Sequence, residues 1–367
     1  MTAESIGRAA ATTVQSVRVR AVCLPLANPH RTAGGVVSES PLVLTDLRTR
    51  DGVFGRSLIF TYTRAALVST AELIRNFAPM VEGQALAPVE LHHGLARRFR
   101  LLGTQGLVGM ALAGLDMALW DALARCQGGS LVEALGGVAK PLPVYGAVGY
   151  DGVQGSARVA EHWANRGFTG VKAKIGYPTV KEDLAVIRAM REAVGDGVAI
   201  MVDYNQSLSP TEAIERLRAL EHEGLVWVEE PTLAHDYAGH ARISRAVRVP
   251  IQTGENWWGV QDMHHALMAG ASGYVMPDAM KIGGVTGWLG AAALAQSQAM
   301  PMSSHLYSEL SAQLLCVTPT AHWLEHVDWW DPLLAAPLQV EGGHTRLDGV
   351  VGTGLEWNEA VVAEYSV

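Results

Sequence analysis

The chain has 367 residues, of which 49% are hydrophobic and 17% charged, and its formal net charge is −8. This composition is typical of a globular protein with a large core, and it excludes a disordered chain. The acidic charge balance gives no electrostatic basis for binding nucleic acid or an anionic membrane, so we expect neither as a partner.

The stretch from about residue 15 to residue 65 is predicted to form β-strands. The runs VQSVRVRAVCLPL and PLVLTDLRTRDGVFGRSLIFTY alternate in polarity and are interrupted by glycine and aspartate. Between them lies ANPHRTAGGVVSES, whose glycine and serine content predicts a polar loop.

Helices are predicted from about residue 64 to residue 137. The segments TRAALVSTAELIRNFAPMV and VGMALAGLDMALWDALARCQG carry apolar residues at three- and four-residue spacing, and the second ends in glycine. Strands followed by helices, without alternation, favour a separate α+β domain, which we place at residues 1–138.

At Lys140-Pro141 the pattern changes, because strands and helices begin to alternate. The strands LPVYGAVGY and FTGVKAKIG are each followed by an amphipathic helix, and the alternation continues for several units. It predicts a modified TIM (β/α) barrel over residues 139–338, with the N-terminal α+β unit as a capping domain. Residues 339–367 return to short strand-like runs, and we expect them to pack back on the capping domain.

Ionisable side chains end the successive apolar runs of the predicted barrel. They recur at intervals of roughly 26 residues, about the length of one β/α unit. Because such barrels carry their active sites at the C-terminal ends of the strands, the pattern indicates an enzyme. The residues are Lys172 and Lys174, Asp203, Glu229 or Glu230, Glu255, Asp278, His305 and Glu325.

Lys172 and Lys174 are two residues apart on a predicted strand, so both side chains point to the same face. Their neighbours are apolar and take the outward face, which leaves the lysines facing the barrel axis. Two confined cations repel each other, so we expect the pKa of one lysine to be lowered, which suits it to act as a base. For this motif alone, a solvated strand end is the alternative interpretation.

Three carboxylates, Asp203, Glu229 and Glu255, end three consecutive predicted strands. Carboxylates brought together in a confined space need a cation, and an all-oxygen ligand set favours Mg²⁺ over zinc. Strand alternation does not decide between Glu229 and Glu230, because each has one apolar neighbour of the same parity.

Asp278 and His305 end the next two predicted strands, so their side chains can meet. A carboxylate that accepts a hydrogen bond from one imidazole nitrogen fixes the tautomer and raises the basicity of the other nitrogen. An isolated histidine is more often structural, but this placement favours a catalytic pair.

Long segments of the chain resemble the mandelate racemase subgroup of the enolase superfamily. The similarity covers nearly the whole chain, with PLVLTDL and GLDMALWDAL in the capping domain and KAKIGYP, IMVDYNQS, EEPTLAHDYAGH, GENW, MPDAMKIGGVTGW, PMSSHL and PTAHWLEH in the barrel. The resemblance implies a capped, modified barrel that uses Mg²⁺ to abstract the α-proton of a 2-hydroxy carboxylic acid through an enediolate. It also implies a homo-oligomer, an octamer in that subgroup; Trp329 and Trp330 could serve such an interface or pack within the chain.

Residue roles also follow from the resemblance. It implies a set of three Mg²⁺ ligands, Asp203, Glu229 and Glu255, which selects Glu229 over Glu230. Lys174 is implied as the base on one face of the substrate, and His305, paired with Asp278, as the base on the other. A base on each face allows the planar intermediate to be reprotonated from either side, which implies racemisation.

Three further residues are implied to hold the substrate. Lys172 would bind the substrate carboxylate beside the metal, and a protonated Glu325 would donate a hydrogen bond to the other carboxylate oxygen. Asn205 would contact the 2-hydroxyl group.

Two departures from the subgroup affect the substrate. Ala147 stands where the subgroup has a substrate-binding serine, and the lid, valine-rich in the subgroup, here contains His30, Arg31 and Gly34. A polar lid suits a polyhydroxylated or diacid substrate better than a phenyl ring. An acid-sugar dehydratase, in which His305 would act as an acid expelling a 3-hydroxyl, is therefore the main alternative. A non-catalytic binding barrel is disfavoured, because the costly charged set would have no role in it.

The cellular compartment is suggested by what the sequence lacks. The three cysteines are scattered and in no metal-ligand spacing, which favours reduced thiols. The first residues contain no continuous apolar region of a signal peptide, and no uninterrupted apolar stretch is long enough to span a bilayer. We therefore expect a cytoplasmic protein.

Overall fold

The computed structural model describes residues 12–32 and 35–367. Most of the N-terminal segment considered for a signal peptide, and Gly34 of the predicted lid, lie outside the described residues.

The N-terminal part is an antiparallel three-stranded sheet covered by helices. Its strands are β1 (Val14–Thr32), β2 (Gly35–Thr49) and β3 (Phe54–Phe60), in that spatial order. The helices are α1 (Arg64–Phe77), α2 (Pro88–Arg98), α3 (Gly106–Cys126) and the short α4 (Leu131–Ala134). Helix α3 is long and apolar enough to span a membrane by composition, but 83% of its most apolar window is buried inside the fold, as expected of a core helix.

The predicted polar loop between the first two strands is wrong. Strands β1 and β2 pair as one long hairpin as far as Thr32 and Gly35. The pairing is interrupted only between Pro25 and His30, where Pro29 has no N–H group to donate to the ladder. Beyond this irregularity the β-branched Val36 and its neighbour pair with the opposite strand, so the segment is extended despite its glycine and serine content.

The central part of the chain forms the predicted modified TIM barrel, which confirms the fold class. Its parallel sheet has the order β10-β4-β5-β6-β7-β8-β9. The strands are β4 (Val144–Val148), β5 (Gly170–Lys174), β6 (Ala199–Asp203), β7 (Leu225–Glu229), β8 (Ile251–Thr253), β9 (Tyr274–Val275) and β10 (Leu324–His326). Between β9 and β10 the predicted seventh strand is reduced to isolated bridges, in which Met302 pairs with Val275 and with Ala321.

Helices separate the barrel strands along the chain. They are α5 (Gly152–Asn165), α6 (Val180–Val194), α7 (Pro210–Leu220), α8 (Tyr237–Ala246), α9 (Gly259–Ala269), α10 (Gly284–Ser297) and α11 (Ser308–Cys316). Thr179 and Ser209 form capping boxes at the starts of α6 and α7, so the loops that follow β5 and β6 end at defined residues.

The C-terminal segment contains a 3₁₀ turn (Asp331–Leu333), the hairpin strands β11 (Gln339–Glu341) and β12 (His344–Arg346), and α12 (Glu359–Glu364). Its contacts with the N-terminal sheet and helices include hydrogen bonds from the indole of Trp357 to Asp46 (2.7 Å) and from the backbone of Val367 to Ala21 (3.0 Å). The domain limits at residues 138 and 338 stay predictions.

Candidate active site

A cavity of about 410 Å³ lies between the β1–β2 hairpin and the C-terminal ends of the barrel strands. Six of the predicted site residues line it: Lys172, Lys174, Asn205, Glu255, His305 and Glu325. The remaining three, Asp203, Glu229 and Asp278, are in contact with this group. The fold therefore brings together the residues that the sequence predicts as bases, metal ligands and substrate-binding groups.

The carboxylates of Asp203, Glu229 and Glu255 form one cluster, with ligand oxygens within 4.8 Å of one another. Strand register explains the cluster, because Asp203 pairs with Glu229 across β6 and β7. All three residues are at most 8% exposed. Glu255 Oε2 is buried and accepts no hydrogen bond from any residue that the structure describes, although His305 Nε2 is 3.2 Å away. A buried oxygen-only set with an uncommitted lone pair fits Mg²⁺, which these three residues would hold.

The choice between Glu229 and Glu230 is made by the backbone. Glu229 is the last residue of β7 and belongs to the cluster, where it accepts hydrogen bonds from Lys172 Nζ (2.9 Å) and Trp227 Nε1 (3.3 Å). At Glu230 the chain turns, with φ of 34°, and this carboxylate accepts instead from Asn256 Nδ2 (2.8 Å). Burial, together with the nearby Glu255, raises the pKa of Glu230 well above its usual value.

Lys172 is buried among carboxylates at the floor of the cavity. Its Nζ is 2.9 Å from Glu229 and 2.8 Å from Glu325. Burial lowers the pKa of Lys172, but the two carboxylates outweigh this effect and the pKa lies well above its usual value. Lys172 is therefore a fixed positive charge.

Lys174 contacts Asp203 Oδ2, its neighbour across β5 and β6. Burial and the charge of Lys172 both lower the pKa of Lys174, but Asp203 and the other carboxylates raise it more, so the net shift is upward. The expected lowering of one lysine pKa is therefore wrong for this structure, because repulsion between the lysines is smaller than the attraction of the acidic cluster.

Asp278 and His305 make the expected contact, with 2.7 Å between Asp278 Oδ2 and His305 Nδ1. Backbone N–H groups of Met280 and Lys281 donate to Asp278 Oδ1, which holds the carboxylate in place. Burial lowers the pKa of His305, but Glu255 and the other nearby carboxylates outweigh it, so the pKa is raised. His305 lines the cavity, and its other ring nitrogen, Nε2, is 3.2 Å from Glu255 Oε2.

Glu325 is held as a carboxylate, not as the protonated acid that was expected. Burial raises its pKa, but Lys172 and His305 outweigh burial and lower the pKa to about 2. The backbone N–H of Leu306 also donates to Glu325 Oε2 (2.9 Å). The protonated form is wrong for this structure because two cationic groups face the carboxylate.

Asn205 is attached to the metal cluster. Its backbone N–H donates to Asp203 Oδ1 (2.6 Å) and its side-chain Nδ2 to Asp203 Oδ2 (3.1 Å). The side-chain oxygen Oδ1 is buried without a hydrogen-bond partner among the described residues. That oxygen is free to accept from a substrate hydroxyl.

The lid is less polar than its sequence predicts. His30 lines the cavity, but the side chain of Arg31 is 64% exposed and lies 4.0 Å from Asp151 outside it. Burial lowers the pKa of His30 to about 3, so the ring is neutral. Most of the other lid-side walls are apolar or aromatic: Val36, Val37, Phe60, Tyr62 and Trp329.

Sequence reasoning missed Lys281 and Asn256, which lie behind the metal cluster. Lys281 Nζ donates to Asn256 Oδ1 (2.7 Å) and lies 4.6 Å from the centre of the Tyr62 ring. Asn256 in turn donates to Glu255 Oε1 (3.1 Å). Both residues follow a predicted strand end by one to three positions, and that placement was a usable signal.

Two family models match the chain. Residues 14–136 match the N-terminal domain of mandelate racemase / muconate lactonizing enzyme, and residues 155–361 match the enolase C-terminal domain-like model. Among solved structures, an enolase from Bradyrhizobium complexed with magnesium and mandelic acid is 44% identical, with a TM-score of 0.94, over 97% of this chain and 99% of that one.

A racemase from Streptomyces coelicolor with bound magnesium is 27% identical, with a TM-score of 0.89, over 96% of this chain and all of that one. The L-talarate/galactarate dehydratase of Salmonella typhimurium is 29% identical over 94% of this chain and 89% of its own length. Relatives of both reaction types thus share this fold.

Proposed function

We propose that this chain, which belongs to the mandelate racemase / muconate lactonizing enzyme family of the enolase superfamily, racemises a 2-hydroxy carboxylic acid. The family and the acidic cluster make it a Mg²⁺-dependent enzyme. The reaction begins with removal of the α-proton.

The observation that carries the proposal is that Lys174 and His305 line one cavity from separate parts of the barrel ring. Lys174 ends β5, and His305 lies in the reduced seventh strand, with β4 and β10 between them on the shorter way round. A substrate between the two residues presents one face of its α-carbon to each. One group removes the proton and the other supplies a proton to the opposite face, which inverts the centre.

The second negative charge that develops on the substrate carboxylate needs stabilisation before the α-proton can leave. A bound Mg²⁺ supplies part of it as a Lewis acid. Lys172 supplies a fixed ammonium beside Glu229 and close to the expected carboxylate position. A bound substrate carboxylate would share the positive charge of Lys172 with Glu325. Glu325 would then have less compensating charge, and its pKa would rise. Glu325 can then take a proton and donate it as a hydrogen bond.

The cavity walls support a substrate with an aromatic or aliphatic distal group. Val36, Phe60 and Trp329 are apolar, and His30 is neutral. Hydrophobic lining with a few convergent polar groups is typical of small-molecule sites. The similar protein that was solved with mandelic acid supports the same substrate class.

Acid-sugar dehydration is the second candidate, because a 29% identical relative is an L-talarate/galactarate dehydratase. It requires the same first step and differs only afterwards, when His305 would give its proton to a departing 3-hydroxyl. The apolar walls favour the racemase, since a polyhydroxylated chain would leave hydroxyl groups without partners there.

Incubation of each enantiomer of mandelate, and of a set of aldonic and aldaric acids, with enzyme and Mg²⁺ in D₂O distinguishes the two. The racemase predicts deuterium at the α-carbon and loss of optical rotation without loss of water, as followed by NMR and polarimetry. A 2-keto product from a sugar acid, with no exchange of mandelate, would replace the racemase by the dehydratase.

A further inference from the structure

A second cavity of about 330 Å³ lies beside the reaction cavity, at the rim of the barrel. It is bounded by the end of β1, the loop after β4, helix α5 and the residues after β10. A hydrogen bond from the backbone N–H of Tyr150 to the carbonyl of Arg31 (2.8 Å) joins the loop after β4 to the β1–β2 hairpin. Four residues line both cavities and so form a partition between them: His30, Ala147, Val327 and Trp329.

The partition consists of apolar and neutral residues. Ala147 lies near the end of β4, and Val327 directly follows β10, the strand that pairs with β4; Ala147 contributes only a methyl group. The rings of His30 and Trp329 meet with centroids 5.2 Å apart and planes tilted by 51°. No charged side chain belongs to this partition, so a hydrocarbon chain in contact with it would leave no charge unpaired.

Beyond the partition the lining becomes polar and carries both signs of charge. Arg158 and Asp328 line the second cavity, and neither makes an ion pair with any residue that the structure describes. Asp151 is near the guanidinium of Arg31 (4.0 Å), and His162 adds a ring nitrogen. Opposed charges in one small space favour neither an anion nor a cation, but they offer both donors and acceptors to a hydroxyl group.

We propose that the second cavity binds the distal end of the substrate, and that this end is an uncharged, hydroxyl-bearing group on a hydrocarbon chain. The inference rests on the proposed function, because the chain must start from a 2-hydroxy acid at Lys174 and His305. Ala147 lines both cavities with only a methyl group, and a larger side chain at this position would narrow the space for such a chain.

Three acids with carbon chains of equal length test which distal group the second cavity prefers. They are 2-hydroxyoctanoate, 2,8-dihydroxyoctanoate and 2-hydroxyoctanedioate, and mandelate is the short reference. The rate of α-proton exchange in D₂O, measured with saturating Mg²⁺, gives kcat/KM for each. We expect the hydroxyl-tipped acid to exceed both its methyl-tipped and its carboxylate-tipped counterparts by about three- to tenfold, the effect of one or two hydrogen bonds.

Variants on α5 test the location. Val159→Phe is designed to fill the second cavity, and Arg158→Ala removes a cationic hydrogen-bond donor from its lining. Each should lower the ratio of kcat/KM for 2,8-dihydroxyoctanoate to that for mandelate. Glu161→Ala is the matched control, because Glu161 is exposed on the same helix and outside the cavity, and it should leave the ratio unchanged.

The outcomes separate the two proposals. Suppose that mandelate exchanges its α-proton but kcat/KM for 2,8-dihydroxyoctanoate does not exceed that of the other two long acids, or exceeds it equally in both α5 variants. The second cavity is then not a substrate site, and the proposed function stands. If no acid exchanges, mandelate included, the proposed function is wrong and the inference falls with it.

Discussion

At the level of single residues, the cavity is a set of buried charges whose pairing decides which group carries a proton. His305 is buried and still has a raised pKa, because Glu255, Glu325 and Asp278 outweigh the cost of burial. Lys174 has a raised pKa for the same reason, through Asp203. The two candidate bases are thus stabilised in their protonated forms by the acids that surround the metal position.

Substitution of each base should affect one face of the substrate only. His305→Asn is expected to lower α-proton exchange of one mandelate enantiomer by about 10²–10⁴-fold while the other enantiomer still exchanges through Lys174. Lys174→Ala should show the reverse preference, and racemisation should be lost in both. ¹H NMR of each enantiomer in D₂O makes the measurement. Racemisation by His305→Asn at the parent rate would rule out the two-base arrangement.

Asp331 should make the stability of the protein fall as pH rises. Burial, with Glu309 and Asp328 nearby, raises the pKa of Asp331 to about 7, above the ordinary aspartate value of about 4. Between pH values of about 4 and about 7 the folded state therefore holds a proton on Asp331 that the unfolded state has lost. The stability that this proton contributes is complete below the unfolded-state pKa and is lost as pH rises through the folded-state pKa.

Asp331→Asn keeps the neutral form at every pH. We expect it to raise the melting temperature at pH 8 and to leave it nearly unchanged at pH 4, as measured by calorimetry. Asp348→Asn, at an exposed carboxylate, is the control. An equal effect of Asp331→Asn at both pH values would contradict the raised pKa.

At the level of elements, one carboxylate joins the loops that follow Lys174 and Asp203. Asp183, in the first turn of α6, accepts from the backbone of Gly176 and Tyr177 (both 2.9 Å), just after β5. Its second oxygen accepts from the hydroxyl of Tyr204 (3.0 Å), just after β6, and from Arg216 (2.9 Å). The spacing between the candidate base and the first metal ligand therefore depends on a helix outside the cavity.

Tyr204→Phe should weaken Mg²⁺ binding by up to about tenfold, because it frees the residue next to Asp203, while costing only about 1 kcal/mol of stability. Titration calorimetry with Mg²⁺ and thermal unfolding measure the two effects. Tyr365→Phe, near the C-terminus, is the control. Unchanged Mg²⁺ affinity in Tyr204→Phe would show that the Asp183 contacts serve folding alone.

For the whole molecule, Mg²⁺ and the fold should stabilise each other. Three buried carboxylates repel in the absence of a cation, so a bound ion favours the folded state by about 2.7 kcal/mol at a concentration of 100 times its Kd. We expect EDTA to abolish activity and lower the melting temperature, and Mg²⁺ to restore both. Full activity of a demonstrably metal-free sample would contradict this.

The same measurement tests the ligand choice at β7. Glu229→Gln should abolish most of the Mg²⁺-dependent rise in melting temperature, because it removes a carboxylate from the cluster. Glu230→Gln should retain most of it, since that side chain turns towards Asn256. The reverse result would assign the ligand to Glu230.

The two tryptophans considered for a subunit interface are used within the chain. Trp330 is fully buried and donates to Glu309 (3.2 Å), and Trp329 packs against His30 at the cavity. Neither therefore supports an interface, and the homo-oligomer stays a prediction.

The sequence by itself determined the barrel and the positions that line its mouth. Parallel strands repeat at the length of a β/α unit and side chains alternate along a strand, so local spacing was enough to place Lys172, Lys174 and Asp203 at strand ends. Strand spacing and side-chain alternation depend only on residues close together in the sequence, so they can be predicted without knowing which strands pair.

Only the tertiary structure decided the protonation states, the choice of Glu229 over Glu230 on geometric grounds, and the direction of Arg31. A pKa depends on charges brought from other strands: Glu325 is ionised because Lys172 and His305, far away in sequence, lie against it. Glu230 leaves the cluster because the backbone turns there, and Arg31 leaves the cavity because its hairpin docks beside Asp151. Each outcome depends on contacts between distant segments, and local composition carries no information about those contacts.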